Sequence, residues 1–274
     1  MAQAPHYVLG HSDAELERLK LQSSVFEVVT RRMFRECGIQ AGMRVLDIGC
    51  GVGDVSMLLA DAVGPSGKVV AVDREQRAID AARHRVQAEG YKQIEFAVAT
   101  DEALPGGDPF DAAVGRYVLV HQPDPTATVR RAAAAVRPGG IVAFHEPAML
   151  VPSFIFPIVA IQQAVFAYPS WQAVIRAFVS SPDVAGRLIP IFRDAGLPTP
   201  QSIWESVVGD HTSPQVALYG IGMRGMLPLF AQLKIAPPDL GDFDTLGERL
   251  RAQMAEVDAQ IISQPQSCAW ATVN

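Results

Sequence analysis

The sequence predicts an α/β fold: a Rossmann-like, seven-stranded and mostly parallel sheet with helices on both faces, plus a helical cap built from insertions. Three observations predict it. Strand and helix patterns alternate five times between residues 44 and 147 with short connections, as in a sheet whose crossovers are helices. The first strand runs straight into a glycine-rich turn and then an apolar helical pattern, VLDIGCGVGDVSMLL (45–59). Two later runs, SIWESVV (202–208) and SCAWATV (267–273), read as strands that complete the sheet.

Residues 13–36 read as a helix, because Leu16, Leu19, Val25, Phe26, Val29 and Met33 recur at helical spacing; Asp13 caps its start and Gly38 ends it. Arg44–Ile48 is the first strand. A helix follows at 54–62, with Asp54 as its cap, until GPSG (64–67) breaks it. KVVAVD (68–73) is apolar almost throughout, the mark of a strand buried on both faces. Glu75–Glu89 is a helix closed by Gly90, Ile94–Val98 a third strand and Phe110–Gly115 a fourth. Pro125–Val136 is a helix ended by the RPGG turn at 137–140, and Ile141–His145 is the fifth strand. Beyond Pro147 the texture changes. Residues 148–180 are aromatic and proline-punctuated, 182–208 return to a helix and a strand, and 213–262 read as helical and rich in methionine and leucine.

Composition narrows the function classes. The 274 residues are 49% hydrophobic and 19% charged, enough for a substantial core. A net charge of −6, with no long Lys/Arg run, lacks the footprint of a nucleic-acid partner. Cys37, Cys50 and Cys268 are too few and too irregularly spaced for a disulfide frame or a metal site, so reduced thiols in a cytoplasm are expected and no metal is. The N-terminus shows no signal-peptide pattern. The apolar stretch Ala148–Ile161 is interrupted by Pro152 and Pro157 and is too short to span a bilayer, so no membrane partner is expected.

The glycine turn points to a bound nucleotide-like cofactor. Glycines there tolerate positive φ and let a ligand approach the backbone, while the following helix aims N–H groups at the turn. Asp73 closes the second strand 20 residues beyond Gly53, where a carboxylate can accept both hydroxyls of a ribose. A nicotinamide dinucleotide and another adenosine cofactor both fit that acid. The glycine spacing G-x-G-x-G, preceded by Asp47, differs from the G-x-G-x-x-G of nicotinamide sites.

D-I-G-C-G-V-G (47–53), A-V-D-R-E (71–75), A-T-D-E-A-L-P (99–105), F-D-A-A-V-G-R-Y-V-L-V-H-Q-P-D-P (110–125) and V-R-P-G-G-I-V-A-F-H-E-P (136–147) occur in order. This series resembles the class I S-adenosylmethionine-dependent methyltransferases of the ubiquinone/menaquinone-biosynthesis type. The resemblance implies S-adenosyl-L-methionine as cofactor, with Gly49, Cys50 and Gly51 along its methionine moiety, Cys50 being a small spacer whose backbone N–H matters. It implies Asp47 near the ammonium, Asp73 on the ribose and Arg74 beside the adenine. Thr100, Asp101 and Glu102 would lie at the adenine amino group, and Arg116 beside the methionine portion. It further implies that the N-terminal segment, residues 1–40, folds over the site, bringing Tyr7 and Gln22 to the cofactor. On this reading residues 41–147 form the cofactor-binding core, 148–180 and 213–262 the substrate cap, and 181–212 with 263–274 complete the sheet.

Methyl transfer needs a general base only where the acceptor starts protonated. His145, Glu146 and His121 are the candidates near the reacting face; hydrogen-bonded structure is the competing reading of the His145–Glu146 pair. Arg130 and Arg131 read as solvated. An apolar cap suits a small hydrophobic or aromatic substrate methylated on oxygen, and it can also pack against a second subunit as a homodimer. The alternatives are an NAD-dependent oxidoreductase and a non-methylating relative that binds S-adenosylmethionine.

Overall fold

The computed structural model describes Asp13–Asn274, with side chains from Arg18 onward. In chain order the elements are α1 (Asp13–Cys37), β1 (Arg44–Ile48), α2 (Asp54–Val63), β2 (Lys68–Asp73), α3 (Gln76–Ala88), β3 (Ile94–Val98), β4 (Phe110–Arg116), α4 (Pro125–Ala135) and β5 (Val136–Pro147). There follow β6 (Phe154–Phe156), α5 (Ala160–Phe166), α6 (Trp171–Phe178), α7 (Leu188–Asp194), β7 (Gln201–Glu205) and β8 (Val208–Gly209). The chain closes with α8 (Pro214–Gly225), α9 (Leu227–Leu233), α10 (Leu246–Glu256), β9 (Gln260–Ile262) and β10 (Gln266–Thr272). Two compact units result: Glu27–Ala148 with Asp183–Glu205 and Gln266–Asn274, and a second from the chain up to Phe26, Met149–Pro182 and Ser206–Pro265.

The first unit holds a seven-stranded sheet in the order β3-β2-β1-β4-β5-β10-β7. The first five strands are parallel, and β10 runs antiparallel to both β5 and β7. β1 is central, with Leu46 opposite Val70 of β2 and Ala113 of β4. Val45, Leu46 and Ile48 are at most 2% exposed. Burying such side chains contributes roughly 1.5–3 kcal/mol each, which explains why a five-residue strand can anchor the sheet. The order reverses direction between β1 and β4, and the crevice at such a switch point is where α/β sheets bind ligands.

Two local expectations are corrected in this unit. The RPGG segment is no plain turn ahead of the fifth strand: β5 starts at Val136, and its pairing with β4 jumps from Phe110↔Val136 to Ala112↔Ile141. The extra residues bulge out, with Gly139 at φ +76° donating its N–H to Val273 O at 2.8 Å. Nor does Asp54 cap α2. The cap is Gly53 in left-handed conformation without a side-chain bond, and Asp54 instead pairs with Arg85 at 2.8 Å. The side chain of Asp13 lies outside the described residues. Asp124 does cap α4, accepting from Ala127 N at 3.0 Å.

The second unit carries a small antiparallel sheet, β6-β9-β8: helix and cap were expected at β6 and β9, and Val208 of β8, expected to end a strand of the main sheet, leaves it because that strand stops at Glu205. Phe154 and Val208 both pair with Ile262. Strands of two or three residues show no readable alternation, so periodicity could not reveal them. The stretch 213–262 is likewise three helices and a strand. α8 and α10 pack at Gly220, where a Cβ would sit 2.8 Å from Gly247 Cα. Val216, Met223, Leu246, Leu250, Met254 and Ile261 form the adjoining core. Pro214–Leu233 is long and apolar enough to cross a membrane, with a mean hydropathy of 1.2, but it is divided at Met226 into α8 and α9.

Candidate active site

The parallel strands of the first unit end along one edge at Ile48, Asp73, Val98, Arg116 and Pro147. Past β1 the chain turns through Gly49 at φ +67° and Gly51 at φ +52°. These two glycines have different reasons. A Cβ on Gly49 would lie 2.8 Å from Val118 Cγ2, whereas one on Gly51 would meet nothing within 4 Å. Gly49 is packed by the protein; Gly51 borders open space that a ligand can enter. Cys50 is buried and its N–H donates to Val72 O at 2.9 Å, which prolongs the β1–β2 ladder. The Cys50 N–H thus serves the sheet, in keeping with its reading as a small spacer.

Asp73 stands at the end of β2 next to that turn. Its Oδ2 accepts the Gly51 N–H at 2.9 Å and its Oδ1 the Glu75 N–H at 2.9 Å. Each oxygen of an ionised carboxylate has room for a second donor, so a held Asp73 still offers two acceptor sites. Asp47 is 1% exposed and accepts the Ser56 hydroxyl at 2.6 Å. Burial pushes its pKa up to about 7, against the pull of that hydrogen bond and of the Arg116 charge. Arg116 is half-buried at the end of β4, its guanidinium 3.4 Å from Thr30 Oγ1.

After β3, Thr100 and Glu102 are exposed while Asp101 is held from α4. Asp101 Oδ2 accepts the Thr128 hydroxyl at 2.6 Å and both Nε, at 3.2 Å, and a terminal nitrogen of Arg131. Arg131, expected to be solvated, is thus paired with Asp101, and Arg130 donates to Asp194 O at 2.9 Å. Nothing in the apolar spacing of α4 distinguishes the two arginines, which differ only in the face they occupy. Arg74 is exposed and 3.6 Å from Glu75. Gln22 lies in the other unit and accepts from Arg18 at 2.6 Å. Tyr7 falls outside the described residues.

Two of the three expected bases, His145 and Glu146, have their polar atoms taken up by structural partners. His145 is 0% exposed, with Nδ1 3.0 Å from Thr30 Oγ1 and Nε2 3.0 Å from Gln266 Oε1. The amide oxygen can only accept, so Nε2 carries the proton and Nδ1 accepts from Thr30. Both ring nitrogens are spent. Tyr117 donates its hydroxyl to the same Gln266 oxygen at 2.6 Å. Burial, helped by the Arg116 charge, lowers the His145 pKa to about 3. Glu146 is also 0% exposed and accepts the backbone N–H groups of Val118, Leu119 and Val120 at 3.0, 2.9 and 3.1 Å. Burial raises its pKa, while the three N–H bonds, received by both oxygens, favour the ionised carboxylate. His121 ends the 3-10 turn Leu119–His121 and is half-buried. Thr30, Gln266, Ser56, Thr128 and Tyr117 were missed, since each is a common polar residue whose role depends on a distant partner.

The neutral His145 has a measurable consequence. Its folded pKa lies below its unfolded value, so its contribution is full above about pH 6.5 and is eroded as pH falls toward 3. Urea unfolding of the native protein and of His145→Asn between pH 7 and 5 checks this. The native protein should lose more stability on acidification than the variant; Asp47 and Glu146, common to both, cancel in the difference. Equal losses would show that His145 is not held neutral.

Residues 39–174 match a family model described as a methyltransferase domain. The chain is 30% identical over 189 residues to a ubiquinone biosynthesis O-methyltransferase of Aromatoleum aromaticum, covering 69% of this chain and 75% of that protein. It is 35% identical over 122 residues to methyltransferase GfsG of Streptomyces halstedii, covering 44% of this chain and 43% of that one. The first curated relatives it matches are thus covered over less than half of their length, 43% and 46%. A solved S-adenosylmethionine-dependent methyltransferase from Aquifex aeolicus shares the fold, with a TM-score of 0.51 at 18% identity over 69% of this chain and 92% of that one. These matches favour the methyl-donor cofactor over the nicotinamide alternative. The chain belongs to the family of S-adenosylmethionine-dependent methyltransferases.

Proposed function

We propose that this protein transfers a methyl group from S-adenosylmethionine to an oxygen atom of a small hydrophobic or aromatic molecule. The observation that carries the cofactor reading is Asp73, fixed by the N–H groups of Gly51 and Glu75 beside a glycine whose outer side is open. Oxygen as acceptor atom is supported by the relative from Aromatoleum aromaticum, an O-methyltransferase by name.

In this reading the two remaining acceptor sites of Asp73 bind the ribose hydroxyls. The backbone at Gly49–Gly51 and the buried Asp47 hold the amino-acid end, with Arg116 beside it. Asp101, with Thr100, Glu102 and Arg74 nearby, reads the adenine. When bound, the cofactor supplies a methyl group already activated on a sulfonium. The protein's part is to align the acceptor and exclude water, which can supply several kcal/mol of the barrier. With His145 and Glu146 committed to structure, His121 is the candidate proton acceptor that remains of the three.

Methyl-labelled S-adenosylmethionine incubated with phenols, carboxylic acids and amines tests the proposal. Label in a phenol or acid supports it. Label only in amines, or in an added protein or RNA fraction, contradicts it. Binding without any turnover would favour the non-methylating alternative, and a thermal shift with NADH alone would overturn the cofactor. Arg131→Ala should raise the dissociation constant of S-adenosylhomocysteine by about fivefold, since a half-exposed arginine contributes modestly. Unchanged affinity in calorimetry would detach Asp101 from adenine binding.

A further inference from the structure

Beyond β4 the chain bends through Tyr117, a non-glycine residue at φ +60°. Left-handed backbone costs such a residue free energy, so neighbouring bonds must hold it. They do: Tyr117 N–H donates to His145 O at 2.8 Å and its hydroxyl to Gln266 Oε1 at 2.6 Å, tying the bend to β5 and β10. After the bend, three successive N–H groups, of Val118, Leu119 and Val120, converge on the Glu146 carboxylate. Successive N–H groups arranged in this way form an anion-binding concavity, and here a side chain of β5 fills it. A buried carboxylate is costly unless its donors are well placed, and removing it would strand three buried donors.

The same loop touches the glycine turn through one side chain. Val118 is 7% exposed, and its Cγ2 would lie 2.8 Å from a Cβ on Gly49 and 3.3 Å from one on Gly115. Val118 is therefore wedged between the turn that follows β1 and the last part of β4. Glu146 sets where that wedge sits.

We propose that Glu146 is a positioning residue for the cofactor-binding turn: by gathering the N–H groups of residues 118–120 it seats Val118 on Gly49 and holds the turn in its ligand-binding shape. The inference rests on reading that turn as the site of the cofactor's amino-acid end. Glu146 then acts without touching the ligand. Its amide analogue, E146Q, keeps the volume but turns one accepting oxygen into a donor that faces donors.

Calorimetric titration of the full chain with S-adenosylhomocysteine decides it, using E146Q, V118A, the double variant and F110A. Phe110 is buried at the opposite end of β4, so F110A lowers stability without reaching the turn. E146Q and V118A should each weaken binding by about tenfold, and the double variant by about tenfold again relative to the native protein, because both act through one contact. F110A should leave affinity unchanged. An E146Q affinity within about twofold of native, or effects that multiply in the double variant, overturns the proposal. Amide hydrogen exchange supplies a readout that needs no ligand: E146Q should speed exchange at Gly49–Gly53 as well as at Val118–Val120, and F110A at neither. Faster exchange confined to Val118–Val120 overturns the proposal too. Failure of the native protein to bind S-adenosylhomocysteine counts against the cofactor reading, and the exchange result then still decides the role of Glu146.

Discussion

Asp73→Ala is expected to weaken S-adenosylhomocysteine binding by about 3 kcal/mol, roughly a hundredfold in Kd. Two effects combine. The substitution removes the charge-assisted acceptors for two ribose hydroxyls, and it strands the Gly51 and Glu75 N–H groups that Asp73 now accepts. The second effect loosens the very turn that faces the ligand. Asp73→Asn keeps one carbonyl oxygen and should fall between native and alanine. Calorimetry reads both. An affinity for the alanine variant within about threefold of native would take Asp73 out of the site, because a charged double acceptor cannot be lost so cheaply.

Gly49→Ala and Gly51→Ala should separate packing from ligand access. At Gly49 an alanine meets two penalties: left-handed backbone, about 1–2 kcal/mol, and a Cβ 2.8 Å from Val118 Cγ2, where overpacking costs about 1–3 kcal/mol more. Its melting temperature and its affinity for S-adenosylhomocysteine should both drop steeply. At Gly51 the new Cβ meets no protein atom within 4 Å, so only the backbone penalty applies. That variant should stay folded, lose about 1–2 kcal/mol of stability, and still fail to bind, since the methyl group stands where the ligand approaches. Undiminished binding by Gly51→Ala, measured beside its denaturation midpoint, would contradict the placement of the ligand against this turn.

The sheet was legible in the sequence because its code is local. The central strands are short apolar runs separated by helices of regular period, and glycine turns mark their ends. Positions along one sheet edge follow from that alternation, which makes Gly49 and Asp73 legible in the sequence; Asp101 and Arg116 rest instead on the resemblance to the methyltransferase family. What a side chain meets at its position is not local. His145 and Glu146 sit at the strand end where a base would be useful, yet Thr30, Gln266 and the loop of residues 118–120 claim every polar atom that a base would need. Arg131 looked solvated because its partner Asp101 lies 30 positions earlier in the chain. The same holds for β6, β8 and β9, whose two or three residues pair only across long intervals and carry no period of their own.

The most direct measurement is a crystal structure of the protein grown with S-adenosylhomocysteine. The account predicts both ribose hydroxyls within about 3 Å of the Asp73 carboxylate and the amino-acid end against Gly49–Gly51. A nucleoside bound elsewhere, or Asp73 turned away from its sugar, would contradict it.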